Sequence, residues 1–221
     1  MKNKFARYPI IMSILALLCG VIVIAVFAVS AVQPPLMKMS LLLLPSLILG
    51  AVALCALKSK LGKSATFKLT TALSILLLVL SVFYILILSM TVATTETKDP
   101  RYYSRAYTEV KDEEGVDVFP KFIPDDAQYV SFIYHPQFLQ GSELLELTYI
   151  TTDDKLTEWI SVLESKAVWI GEKEERHIAN NLSVRTTIYE LYWNGEFNHS
   201  EICYVAIDKS SKQITFHYSN G

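Results

Sequence analysis

The chain has 221 residues and a net charge of −2, from 20 Lys and Arg against 22 Asp and Glu. That near-neutral total hides a split: the first 95 residues hold eight basic residues and no acidic one, while the last 126 hold twelve basic residues and all 22 acidic ones, a charge of −10. An acidic C-terminal part argues against nucleic acid as a partner, because nucleic acid favours a basic surface. A lone cysteine after residue 95, Cys203, excludes a disulfide framework there.

Three stretches near the N-terminus lack any charge: Tyr8 to Met37, Met39 to Leu57 and Leu69 to Thr95. A bilayer core ~30 Å thick takes ~20 apolar residues in a helix, and backbone groups in lipid must be satisfied within the segment. The pattern predicts a membrane domain over 1–95 with three transmembrane helices at about 9–32, 38–57 and 69–93. The basic start followed by an apolar run has the outline of a signal peptide, but the run is too long and no small-residue cleavage site follows. Leu17 and Leu18 before Cys19 do not fit a lipoprotein box, which wants a small residue there. Lys2, Lys4 and Arg7 in the tail and Lys58, Lys60, Lys63 and Lys68 in the second loop outweigh Lys38 in the first. Basic loops stay inside, so the N-terminus is expected in the cytoplasm and everything after residue 95 on the far side of the cell membrane. No charge lies within a span to mark an ion pathway. Gly62-Lys63-Ser64 imitates the end of a phosphate-binding loop, but it lacks the earlier glycine and the preceding strand.

Residues 96–118 read as a polar juxtamembrane connector. Arg101, Tyr102, Tyr103, Arg105 and Tyr107 suit the membrane surface. Residues 119–221 read as one compact domain. Tyr129 to Tyr134 has strand composition, Gln140-Gly141-Ser142 turns the chain, and Glu143 to Ile150 forms a second strand with Leu145, Leu147 and Tyr149 on one face. From Thr151 to Ser165 the period changes: Leu156, Trp159, Ile160 and Leu163 fall at i, i+3, i+4 and i+7, one apolar helical face. Thr152 can cap this helix, and Asp153 and Asp154 suit its positive first turn. Gly171 to Asn181 reads as a charged loop. Val184 to Trp193 is a strand, Asn194-Gly195 a turn, and Glu201 to Ile207 and Gln213 to Tyr218 complete an antiparallel meander. The expected architecture is therefore three transmembrane helices plus a C-terminal extracytoplasmic α+β domain, an antiparallel sheet with one packed helix.

The phrase FPKFIPDDAQYVSFIYHPQFLQGSELLELTY resembles segments in the outer domains of uncharacterised membrane proteins and lipoproteins of Gram-positive bacteria. The likeness implies a similar setting for about thirty residues and no activity.

Chemistry-bearing residues are few. His135, His177, His199 and His217 lie in the domain, and His199 stands four residues from Cys203. Four residues along a strand separate side chains by ~13 Å, too far for shared ligation, and zinc sites favour close pairs. Cys203 sits mid-strand as a small apolar residue. The carboxylate pairs Asp125-Asp126, Asp153-Asp154 and Glu174-Glu175 would serve glycoside chemistry only if two faced each other across a cleft. Asn181 and Asn198 match the glycosylation sequon. The sequence predicts no metal, no cofactor and no enzyme. It predicts a membrane-anchored extracytoplasmic interaction or sensing module, whose partners are the bilayer and a membrane protein. Tyr129, Tyr134, Tyr189 and Trp193 are the candidate contact residues. The alternatives are an accessory subunit of a membrane transporter and a membrane-tethered enzyme.

Overall fold

The computed structural model describes residues 4–29, 94–137, 142–172, 186–196 and 199–221, with scattered positions between 40 and 90. The chain divides into two compact units. One is Met1–Ser30 with Pro34–Ala93, and the other is Ala31–Gln33 with Thr94–Gly221.

In the first unit, α1 runs over Lys4–Val29 and a single 3-10 turn covers Leu41–Leu43. Ile14, Leu18 and Ile22 of α1 are exposed, and Ala16 is buried. Among the described residues, no helix is long and apolar enough to cross a membrane. The three transmembrane helices at about 9–32, 38–57 and 69–93 are therefore not supported. The multi-pass reading falls with them, as does the orientation that put the N-terminus in the cytoplasm and the C-terminal domain outside. Much of the second and third ranges lies outside the described residues.

The second unit is built on a six-stranded antiparallel sheet. Its strands are β1 (Gln128–His135), β2 (Glu143–Ile150), β3 (Trp169–Glu172), β4 (Thr186–Glu196), β5 (His199–Asp208) and β6 (Gln213–Asn220), in the order β1-β2-β6-β5-β4-β3. Side chains alternate between the two faces of a strand. On β2, Leu145, Leu147 and Tyr149 are fully buried while Leu144, Glu146 and Thr148 are only partly so. Register carries that inner face across the sheet: Leu147 pairs with Phe216, which pairs with Val205. The outer face holds a smaller cluster, Ile188, Tyr204 and Ala206, flanked by Trp169 and Ile202.

Two helices close the inner face, α2 (Tyr103–Val110) and α3 (Asp153–Lys166). α3 starts where Thr152 accepts a hydrogen bond from the Lys155 amide at 3.5 Å, with Asp153 and Asp154 in the first turn. Lys212, from the turn between β5 and β6, reaches Asp153 at 2.6 Å. Leu156 and Leu163 are buried, and Trp159 and Ile160 pack beside them.

The segment 96–118, expected as a polar connector, supplies a wall of the core. Tyr103, Ala106, Tyr107 and Val110 stand at i, i+3, i+4 and i+7, and all are buried. The Tyr103 hydroxyl donates to the Pro120 carbonyl at 2.6 Å, and its ring meets Phe132 edge-on. Thr97 exchanges backbone hydrogen bonds with Tyr134, which ties this segment to β1. Gly115 has φ +81 and lies so close to Leu191 and Cys203 that a Cβ would sit 3.0 Å from one and 3.1 Å from the other. Only glycine fits that close approach in a left-handed backbone.

Two further differences concern β4. A short strand, β3, pairs with it where a charged loop was expected to begin. Asn194-Gly195 is not the hairpin turn: the ladder runs on through Asn194↔Glu201 and Gly195↔Ser200 to Glu196↔His199.

Phe216 stands at the centre of the packing. Its ring is 5.3 Å from Phe119, 6.0 Å from Tyr149 and 5.1 Å from Trp159. Replacing Phe216 with Ala should cost about 3–5 kcal/mol, the range for a large buried aromatic. Equilibrium urea denaturation checks this, and a loss below about 1 kcal/mol would show that the four rings do not form one packed cluster.

Candidate functional site

Among the described residues of the second unit is a groove of about 400 Å³ between α3 and the turn that leads into β1. That volume lies within the ~300–1,000 Å³ typical of small-molecule sites. Pro124 opens the turn, and the Ala127 amide closes it by donating to the Pro124 carbonyl at 3.0 Å. Asp125 and Asp126 are thereby placed at its tip, both exposed. The Thr151 hydroxyl, at the end of β2, donates to Asp126 Oδ2 at 3.0 Å and fixes that carboxylate against the sheet.

The opposite wall is helical. Lys155, Glu158, Trp159 and Val162 line it at i, i+3, i+4 and i+7. Trp159 belongs both to this wall and to the core stripe, which is why its position is fixed by Phe216. Lys155 and Glu158 form an exposed ion pair at 2.7 Å, a kind of contact that holds weakly and yields to a competing group. The pairing holds the Lys155 ammonium above its usual pKa. Behind the groove the Tyr149 hydroxyl is buried and makes no hydrogen bond among the described residues. Trp159 and Asp126 are near enough to act on it, but Trp159 does not reach it with the geometry of a hydrogen bond. Burial pushes the Tyr149 pKa well above the usual phenol range, with the Asp126 charge adding to the effect.

A second polar cluster sits at the other end of the inner face. Register places Glu143 opposite Asn220, and Asn220 opposite Glu201. Both glutamates follow the phase of the buried residues beside them, Leu145 and Cys203. Burial raises the Glu143 pKa first, and the charges of Glu113 and Glu109 raise it further, while a hydrogen bond from the Tyr134 hydroxyl at 2.9 Å opposes the shift. Burial likewise raises Glu201, with Glu113 and Glu114 adding to it.

The four residues singled out from the sequence are not brought together. Tyr134 and Tyr189 are buried in the main core, 3% and 2% exposed. They do not offer a surface to a partner. Tyr129 is 83% exposed at a bulge in β1, where its φ is +51, and Trp193 is 53% exposed on the outer side of β4, opposite Ile202. Four strand spacings of ~4.8 Å separate β1 from β4, so these two do not share a patch.

His217 and Cys203 fall on opposite faces of the sheet. Cys203 is fully buried on the inner face, where burial pushes its thiol pKa far up. His217 stacks on Tyr204 with ring centroids 4.6 Å apart, on the outer face, and its Nδ1 lies 3.1 Å from Glu146. Adjacent strands cannot bring such a pair to one site. His135 Nδ1 is 3.1 Å from the Ser142 carbonyl. His177 and Glu174-Glu175 lie outside the described residues, as do both sequons and the side chain of His199. Among the described residues, no group of three or more His, Cys, Asp and Glu is arranged to hold a metal ion.

Sequence reasoning noticed Asp125-Asp126 but not their partners on α3, and it missed Glu143 and Glu201. A signal for the glutamates was present: Glu143 is in phase with Leu145, Leu147 and Tyr149, and Glu201 with Cys203, Val205 and Ile207. No protein-family model, curated protein or solved structure matches the chain.

Glu201 gives a test of sign. Its folded pKa is raised, so its contribution to stability is fully present below the ordinary glutamate value of 4.5 and is lost as pH climbs through the raised value. Glu201→Gln should therefore melt like the parent near pH 4 and above it at pH 7. Melting curves followed by circular dichroism across that range decide it. A difference that does not change with pH would mean that Glu201 ionises as freely in the folded chain as in the unfolded one.

Proposed function

We propose that the second unit is an interaction or sensing module, and that the groove beside α3 takes a small ligand rich in hydrogen-bond donors. One observation carries this reading. Acceptors from separate elements, the Asp125 and Asp126 carboxylates and Glu158, converge on a cavity of about 400 Å³ with a partly buried indole in its wall. Together with Lys155 they leave the lining two charges negative. Such a lining favours hydroxyl and ammonium donors, and the Trp159 ring with Val162 and Pro124 offers an apolar side to a ligand backbone.

Binding is a better reading than catalysis because the groove's hydroxyl, on Thr151, is only 7% exposed, and the only cysteine after residue 95 is sealed in the core.

Intrinsic fluorescence and thermal melting of the full chain with glucosamine, glucose and butylamine as probes would test the proposal. Glucosamine should raise the melting temperature and perturb the emission of Trp159, and Asp126→Asn should weaken that binding by about tenfold, as loss of a charge-assisted hydrogen bond does. Trp159→Phe should remove the emission change and keep the ring contact with Phe216. No saturable response to any of the three probes, or equal binding by Asp126→Asn, would overturn the proposal.

A further inference from the structure

The acidic end of the inner face gathers glutamates from three chain segments. Glu109 lies on α2, and Glu113 and Glu114 follow it in the turn that leads to Gly115; all three are exposed. Beneath them stand Glu143 from β2 and Glu201 from β5, both half-buried. Three separate chain segments thus bring carboxylates near enough to act on one another, Glu109 and Glu113 on Glu143, and Glu113 and Glu114 on Glu201.

The floor carries an observation independent of the charges. Tyr218, fully buried on β6, has a hydroxyl without a hydrogen-bond partner among the described residues, and Oε1 of Glu201 is buried and equally unpartnered. Asn220 comes near the Tyr218 hydroxyl but does not meet it with hydrogen-bond geometry. Glu113, Glu143 and Glu201 are the charged groups that act on that hydroxyl. The charges that act on Glu143 are Glu109 and Glu113, and those that act on Glu201 are Glu113 and Glu114. All are negative. A buried acceptor left unpaired is destabilising, and like charges gathered without a cation add to that cost.

We propose that this end of the sheet binds an organic cation, a guanidinium or ammonium group, seated on Glu201 and the Tyr218 hydroxyl and ringed by Glu113 and Glu143. A bare metal ion does not suit it. Calcium and zinc need their ligand atoms within about 2.0–2.6 Å of one point, and no such grouping exists among the described residues. A guanidinium spreads five donors over a planar fork and satisfies carboxylates that stand further apart. The same chemistry comes either from a free amine or from an arginine side chain of a partner protein.

Isothermal titration calorimetry on the full chain separates these sources. Agmatine serves as the free amine and the blocked tripeptide acetyl-Gly-Arg-Gly-amide as the side chain, each at low salt and at physiological salt. Saturable binding of either probe is expected, weakened about tenfold by Glu201→Gln and by the exposed change Glu113→Gln, which leaves the core untouched. Asp126→Asn, in the groove at the other end, should leave it unchanged and so separates this site from the proposed groove ligand. Binding by agmatine alone assigns the site to a free amine, and binding by the peptide alone assigns it to a partner's arginine. The proposal is overturned by no saturable heat from either probe, by equal binding in both glutamine variants, or by calcium binding the same residues more tightly than both.

Discussion

The second unit depends on the ring of Phe216. β6 lies between β2 and β5, so a side chain on its inner face stands at the middle of the sheet. Three rings from three other segments converge there. Phe119 ends the segment that covers β1, Tyr149 comes from β2, and Trp159 comes from α3. A sheet of this kind needs one face sealed by something other than itself, and Phe216 is where both covering segments meet it. The consequence reaches the groove. Trp159 is part of the groove wall because its other edge is held by Phe216, so core packing sets the width of the cavity.

What could be read from the sequence follows from how far each signal reaches. Period-two alternation is local, and it placed β2 at Glu143–Ile150, the bounds the strand has. The i, i+3, i+4, i+7 stripe with Thr152 ahead of it likewise located α3. Signals with two physical causes failed. Tyrosines beside arginines suit a membrane surface, but Tyr103 and Tyr107 also complete a helical stripe with Ala106 and Val110, and core packing is the cause that acts. Asn-Gly favours a tight turn, yet that local preference is overridden where the ladder gains three more pairs. The charge-free stretches before residue 95 measure how readily those residues leave water. They do not by themselves make a helix long and apolar enough to cross a bilayer, and none is found among the described residues.

The polar sites were harder to read for a different reason. Glu143 and Glu201 are far apart in sequence, and only register brings them into line through Asn220. Asp126 and Lys155 line one groove from a turn and a helix start that no spacing rule connects. Parity was the one available clue. A charged residue in phase with three apolar neighbours will face the core unless the strand ends first, and both glutamates stand at or near strand starts, where the core thins.

Tyr149 and Tyr218 bring the two ends of the sheet under one argument. Both rings pack in the core, and both hydroxyls are buried without a hydrogen-bond partner among the described residues. Phenylalanine would keep the ring contacts at each position and avoid the desolvation of a hydroxyl, a cost of about 1–3 kcal/mol when it stays unpaired. On packing alone, phenylalanine is the more stable choice at both positions. The hydroxyls are explained if each is paired in the working protein, Tyr149 behind Asp126 and Tyr218 between Glu143 and Glu201. The two stand at opposite ends of one inner face, with Phe216 between them.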